Sequence, residues 1–199
     1  MLIWGFSLDG ILGALISLVI IKAGIEMLAS PVNELLGARV SPELVHEIKQ
    51  EVMGCEGVSG VFDIILHNYG PDVMIGSLHV SVPDTMSAHE IHGLTRRITG
   101  LMYQRHGIVM TVGIYAVATG DNQRTELQDK VIRTLAAHKE LVQVHGFYYS
   151  EKDRLLSVDV VPDISVHDDA ALCRQLTEEL RALAPDLQVA VVIDHNYSD

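Results

Sequence analysis

Residues 57–82 read GVSGVFDIILHNYGPDVMIGSLHVSV. Two apolar, alternating runs are split by Asn68-Tyr69-Gly70-Pro71-Asp72, a cluster of turn formers, so the stretch predicts a β-hairpin. Upstream, Ser41-Pro42-Glu43 supplies a helix N-cap, a proline at the first helical position and a first-turn acid. Leu44, Val45, Ile48 and Val52 then recur at helical spacing up to Gly54. Downstream, Ser87–Tyr103 returns to the helical period through Ile91, Leu94, Ile98 and Leu101, and Ile108–Val117 reads as a strand. The order is αββαβ, which predicts an α+β sandwich with helices on one face of a small sheet. Phe62, Ile64, Leu78, Val80, Ile91, Leu94, Ile98 and Val112 form its expected core.

The same order returns after the polar break at Asp121-Asn122-Gln123-Arg124. It predicts a helix over 125–138, strands near 142–149 and 155–161, a helix near 166–183 and a strand at 188–194. Val82-Pro83-Asp84 matches Val161-Pro162-Asp163, and Ser87-Ala88-His89-Glu90 matches Ser165-Val166-His167-Asp168, so the halves read as a divergent duplication. Each half is only about 70 residues and marginal alone, so each is expected to pack against its twin or a second chain. The divisions are 1–40 for an apolar helix and linker, 41–120 for a first module and 121–199 for a second.

From Met1 to Ile21 only Asp9 interrupts an apolar run of about 20 residues, enough to span a bilayer core. No Lys or Arg precedes the run, so a cleaved signal peptide is not indicated. Lys22 and Arg39 follow it, which places the C-terminal side in the cytoplasm. A carboxylate in hydrocarbon costs on the order of 3 kcal/mol, so Asp9 faces protein or water, or sits at the interfacial end of the helix. Gly10, Gly13, Ala14 and Ser17 fall on nearby turns, the pattern that lets helices approach closely. A buried core helix of a soluble protein is the other reading of the uninterrupted run Gly10–Ile21.

The formal charge of −12 argues against nucleic acid and for cations. Ten His beside 26 Asp and Glu is a ligand-rich composition for divalent metals, and scattered surface residues would give the same totals. Cys55 and Cys173 stand far apart, so neither a disulfide framework nor a thiolate zinc site is indicated. No Gly-rich phosphate loop, GxSxG elbow or HExxH helix is present, and an enzyme is not expected.

Over 1–117 the residues resemble the cation diffusion facilitator family. SLDGILGALISLVIIKAGIEMLASPVNELLG (7–37) is similar to its sixth transmembrane helix and following linker. GVSGVFDI (57–64) and LHVSVPDTMSAHEIHGLTRRI (78–98) resemble its cytoplasmic pattern of a first strand, a His-bearing second strand and a His-bearing helix. The resemblance implies divalent-metal efflux driven by proton exchange and a homodimer of cytoplasmic domains with metal at the interface; the second repeat is not part of the family's minimal pattern and reads as a duplicated regulatory module, so two tandem ferredoxin-like modules are expected. The family's transport ligands lie on its second and fifth transmembrane helices, which this sequence lacks. The sequence therefore reads as the C-terminal part of a transporter at the cell membrane, its modules cytoplasmic, and transport is not expected from it alone. The alternative is a membrane-anchored, non-transporting ligand-binding or scaffold protein.

The resemblance also implies metal ligands. His79 matches the second-strand position and His92 the helix position, while Phe62 holds the first-strand position and the last strand has neither His nor Asp. His89, one turn before His92, or Asp63 or His67 could add a ligand. The second repeat carries the opposite half: His145 at the first-strand position, Asp159 on the second strand, His167 near the helix start, and Asp194 with His195 ending the last strand. If the repeats pack like two protomers, His79 and His92 could meet His145 or Asp194. Such a set suits zinc, manganese or iron(II).

Overall fold

The computed structural model describes all residues except 1, 4–5, 36–40, 70–72, 121–122 and 195–199. The chain falls into two units, Met1–Arg39 and Val40–Asp199.

The first unit holds two short paired strands, β1 (Leu2–Ile3) and β2 (Phe6–Ser7), and the helix α1 (Leu8–Leu35). The apolar run is thus divided: its opening residues form strands, and the helix begins only at Leu8. Gly10–Leu28 has a mean hydropathy of 2.1, long and apolar enough to cross a membrane by length and composition. Within this unit Ile16, Val19 and Leu28 are exposed, as an apolar helix that is to be covered by lipid or protein requires. Lys22, expected beyond the span, lies inside α1 and pairs with Glu26 one turn on at 3.7 Å. The helix also runs through Pro31 to Leu35. Arg39 and the turn at Gly70–Asp72 lie outside the described residues.

The second unit follows the duplicated order. Its first half is α2 (Pro42–Met53), β3 (Gly60–Asn68), β4 (Met74–Pro83), α3 (Ala88–His106) and β5 (Ile108–Val117). Its second half is α4 (Gln123–Ala136), β6 (Leu141–Ser150), β7 (Leu155–Pro162), α5 (Asp169–Leu183) and β8 (Gln188–Ile193). Each half makes a three-stranded sheet, β3-β4-β5 and β6-β7-β8, whose first pair is antiparallel and second pair parallel. The architecture is α+β, an apolar helix followed by two ferredoxin-like modules.

The helices start where their caps dictate. Ser41 Oγ accepts from Leu44 N at 3.2 Å, and Ser87 forms a capping box in which its N–H donates to Glu90 Oε2 at 2.7 Å. In α5 the cap is Asp168, which accepts from Ala171 N at 2.8 Å, so the helix begins later than expected. Gly107, at φ 67°, closes α3 in the left-handed region that glycine tolerates.

Leu78, Val80 and Val82 alternate on the inner face of β4 and pack against Val45, Ile48 and Val52 of α2 and Leu94, Ile98 and Met102 of α3. Leu156, Val158 and Val160 repeat this on β7 beneath Leu172, Leu176 and Leu180 of α5. Phe62 does not join the first core. The ladder shifts between Phe62 and Ile65, with Asp63 at φ 53°, so a β-bulge interrupts the two-residue alternation. Val61 and Ile64 turn inward instead, and Phe62 is half-buried on the opposite face. Ile91 is also only half-buried, while Val112 packs against the core.

Candidate metal centre

Register makes the two repeats comparable residue by residue. Phe62 pairs with His79, and His79 with Gly113; in the second half His145 pairs with Asp159, and Asp159 with Val192. Phe62 thus corresponds to His145, His79 to Asp159, and, two residues along the last strand, Tyr115 to Asp194. The bulge is duplicated too: the ladder shifts after His145, and Gly146, at φ 62°, stands where the first repeat has Asp63. Asp is among the few side-chain-bearing residues that tolerate this conformation, and non-glycine residues held there cluster at functional sites.

At these bulges the core-distant faces of the two sheets meet. Asp63 sits between them: its Oδ1 lies 2.9 Å from His145 Nε2 and its Oδ2 3.0 Å from His79 Nδ1. Tyr115 Oη donates to Asp63 Oδ2 at 2.7 Å and lies 3.2 Å from Asp159 Oδ2. Asp194 Oδ2 is 3.7 Å from His145 Nε2. Phe62 stacks on His145 at 5.1 Å, and His79 on Tyr115 at 4.6 Å. The rings pack around Asp63, whose side chain is only 12% exposed.

Two glycines make the room. A Cβ on Gly113 would come within 2.1 Å of the His79 ring, and one on Gly146 within 2.2 Å of Asp159 Oδ2. Each imidazole or carboxylate occupies space that only the missing side chain leaves open.

Burial would raise the Asp63 carboxyl, but its contacts with His145 and Tyr115 outweigh that and hold it down at about 2. Burial moves Asp159 the other way, and the Asp63 charge adds to the rise. The Tyr115 phenol is pushed upward by burial and by the neighbouring Asp63. The site is thus a packed set of carboxylates, one strongly ionised, facing two imidazoles.

Its donors fit a cation. His145 Nε2 and His79 Nδ1 are both buried and both lack a hydrogen-bond partner, although each lies about 3 Å from an Asp63 oxygen. They face the carboxylate but off the line of a hydrogen bond. Asp63, His145 and Asp194 offer donor atoms all within 4.8 Å of one another. Tetrahedral ligands at zinc distances stand about 3.3 Å apart. The 2.9 and 3.7 Å separations around His145 bracket that value. The amide of Gln143 meets His145 Nδ1 at 3.4 Å, the kind of second contact that orients a ligating imidazole.

Of the residues singled out from sequence, His79, His145, Asp159 and Asp194 come together here with Asp63, named there as one that could add a ligand. His89 and His92 are exposed on α3, and His167 is exposed before α5; none is among the cluster's contacts described above. His67 is exposed near the end of β3, and His195 lies outside the described residues. Tyr115 escaped notice because only strand register gives it the position in its repeat that Asp194 holds in the other. A second group, Glu47, Glu51 and His106, lies in the first module. There Glu51 is engaged by Arg105 at 2.5 Å and His106 at 2.9 Å, which makes it an ion-pair clamp between α2 and α3.

Residues 40–114 match the family model described as the cation efflux protein, cytoplasmic domain. Uncharacterized transporter MJ0449 of Methanocaldococcus jannaschii is 31% identical over 86 residues, 43% of this chain and 30% of that protein. Metal tolerance protein 2 of Oryza sativa subsp. japonica is 27% identical over 108 residues, 54% of this chain and 28% of that protein. The chain thus spans less than a third of the length of these relatives. Residues 40–114 are thus similar to the cytoplasmic domain of the cation efflux proteins.

Proposed function

We propose that the chain is the C-terminal part of a divalent metal cation efflux transporter, with α1 in the membrane and the two modules in the cytoplasm, where they sense the cation and contribute to dimerisation. The observation that supports it is the buried, unpartnered Nε2 of His145 facing Asp63 and Asp194, in a chain matched by the cation efflux cytoplasmic domain. Asp63 bridges the modules, so a cation there favours whichever arrangement brings His145 and Asp194 within reach. Sensing in this sense is a population shift, limited by the cation's differential affinity for the two arrangements. His79 and Asp159 stand beside the trio, with solvent or one of them available as a fourth ligand. The donor chemistry suits zinc, manganese or iron(II) as cargo and signal.

Calorimetric titration of the full chain in detergent micelles with zinc and with manganese tests this. Saturable heat that His145→Ala removes is the expected result. No heat for either cation would end the sensing role.

A further inference from the structure

We infer that the cation site is completed inside one chain, the second repeat serving the first as its partner, so that a bound cation fastens the two modules of the same polypeptide. This rests on the metal reading above and deepens it. Neither repeat holds the donors alone: Asp63 and His79 come from β3 and β4, whereas His145, Asp159 and Asp194 come from the second module. The family match ends at residue 114, so the latter three are contributed by a segment outside it.

The contacts fall at corresponding positions of the repeats. Phe62 stacks on its counterpart His145, and Asp63, beside Phe62 at one bulge, meets His145 beside Gly146 at the other. This is how the two copies of a symmetric dimer meet around their axis. Here the copies have diverged, so the two halves of the site are unlike: an imidazole and a carboxylate on one side, an imidazole and two carboxylates on the other. The tether is short, since β5 ends at Val117 and α4 begins at Gln123. A linker of that length holds the second module at an effective concentration in the millimolar range, far above that of a separate chain.

Zinc is the probe, in equilibrium dialysis of the full chain in detergent micelles. The expected result is one zinc per chain, with a dissociation constant unchanged over a hundredfold range of chain concentration. Asp63→Asn and His145→Gln, which keep side-chain size, each remove that zinc. An equal mixture of the two variants, co-expressed so that mixed oligomers form, remains without it. A site between two chains would behave differently, because a mixed dimer rebuilds one site from the intact His145 of one chain and the intact Asp63 of the other. Random mixing would then restore about a quarter of the unmodified capacity, and that recovery overturns the inference while leaving the metal reading intact. The pair His79→Gln with Asp194→Asn repeats the test should either first variant lose its melting transition. No zinc on the unmodified chain overturns both the inference and the reading.

Discussion

The phenyl ring of Phe62 lies flat against the imidazole of His145, centroids 5.1 Å apart and planes inclined by 12°. The two residues hold the same position in the two repeats, each directly across from the second-strand residue of its own sheet, His79 and Asp159. The duplication has thus turned one position into two complementary ones. The first copy supplies a wall and the second a donor, and the wall keeps the donor's buried nitrogen dry.

Phe62→Ala removes that wall. Aromatic pairs contribute about 0.5–1.5 kcal/mol beyond their area burial, and truncating a half-buried ring adds a transfer loss, so about 2 kcal/mol of destabilisation is expected. Denaturant unfolding of the full chain checks it. An unchanged midpoint would show that the stack contributes nothing to the pairing of the modules.

Gly146→Ala meets two penalties. The left-handed backbone costs roughly 1–2 kcal/mol for a residue with a Cβ, and the new methyl would overlap Asp159 Oδ2. Gly113→Ala carries no positive φ and acts through the His79 ring alone, 2.1 Å from the added carbon. The first variant is expected to lower thermal stability, and the second to displace His79 with a smaller stability loss. Melting temperatures together with the imidazole proton spectra separate the two effects.

Tyr115 stays protonated far into the alkaline range because burial and the Asp63 charge both oppose ionisation. In a spectrophotometric titration of the six tyrosines, one is expected to ionise well after the ordinary phenols, and Tyr115→Phe removes that late step. The same substitution takes a donor from Asp63 and is expected to destabilise the fold by about 1–3 kcal/mol. A titration curve with no lagging component would contradict the geometry.

His138 closes the second module, its Nε2 at 2.7 Å from Glu179 and its Nδ1 at 3.4 Å from Glu140. Burial works against the imidazolium, but the hydrogen bonds and charges of Glu179 and Glu140 prevail and raise its pKa above 6.5. A raised folded-state pKa means stability that is fully present below the unfolded value and is lost as pH rises through the folded one. His138→Gln should therefore destabilise more at about pH 6 than at about pH 9. Chemical denaturation at both values measures the difference, and equal losses would refute a charged pair.

Much of the fold is legible from local chemistry. Ser41 and Ser87 announce helix starts, because a side-chain oxygen there satisfies an otherwise orphaned N–H, and the structure shows both bonds. Leu94, Ile98 and Met102, at fourfold spacing, share one face of α3 and are buried on it. One element resisted. The positive φ at Asp63 reverses the alternation of β3 and sends Phe62 outward, and nothing in the run VFDII reveals where a bulge falls.

By itself the sequence determined the periodicity, the Ser41 cap and the doubled αββαβ order, because each depends on neighbours within a few residues. It also singled out His79, His145, Asp159 and Asp194 as carriers of ligand chemistry. Only the tertiary structure decided that Asp63 joins them and that Tyr115, 52 positions away, hydrogen-bonds it. Those relations require two sheets to meet at matching bulges, and the pairing of distant faces depends on packed surfaces and strand register that no local window of residues encodes.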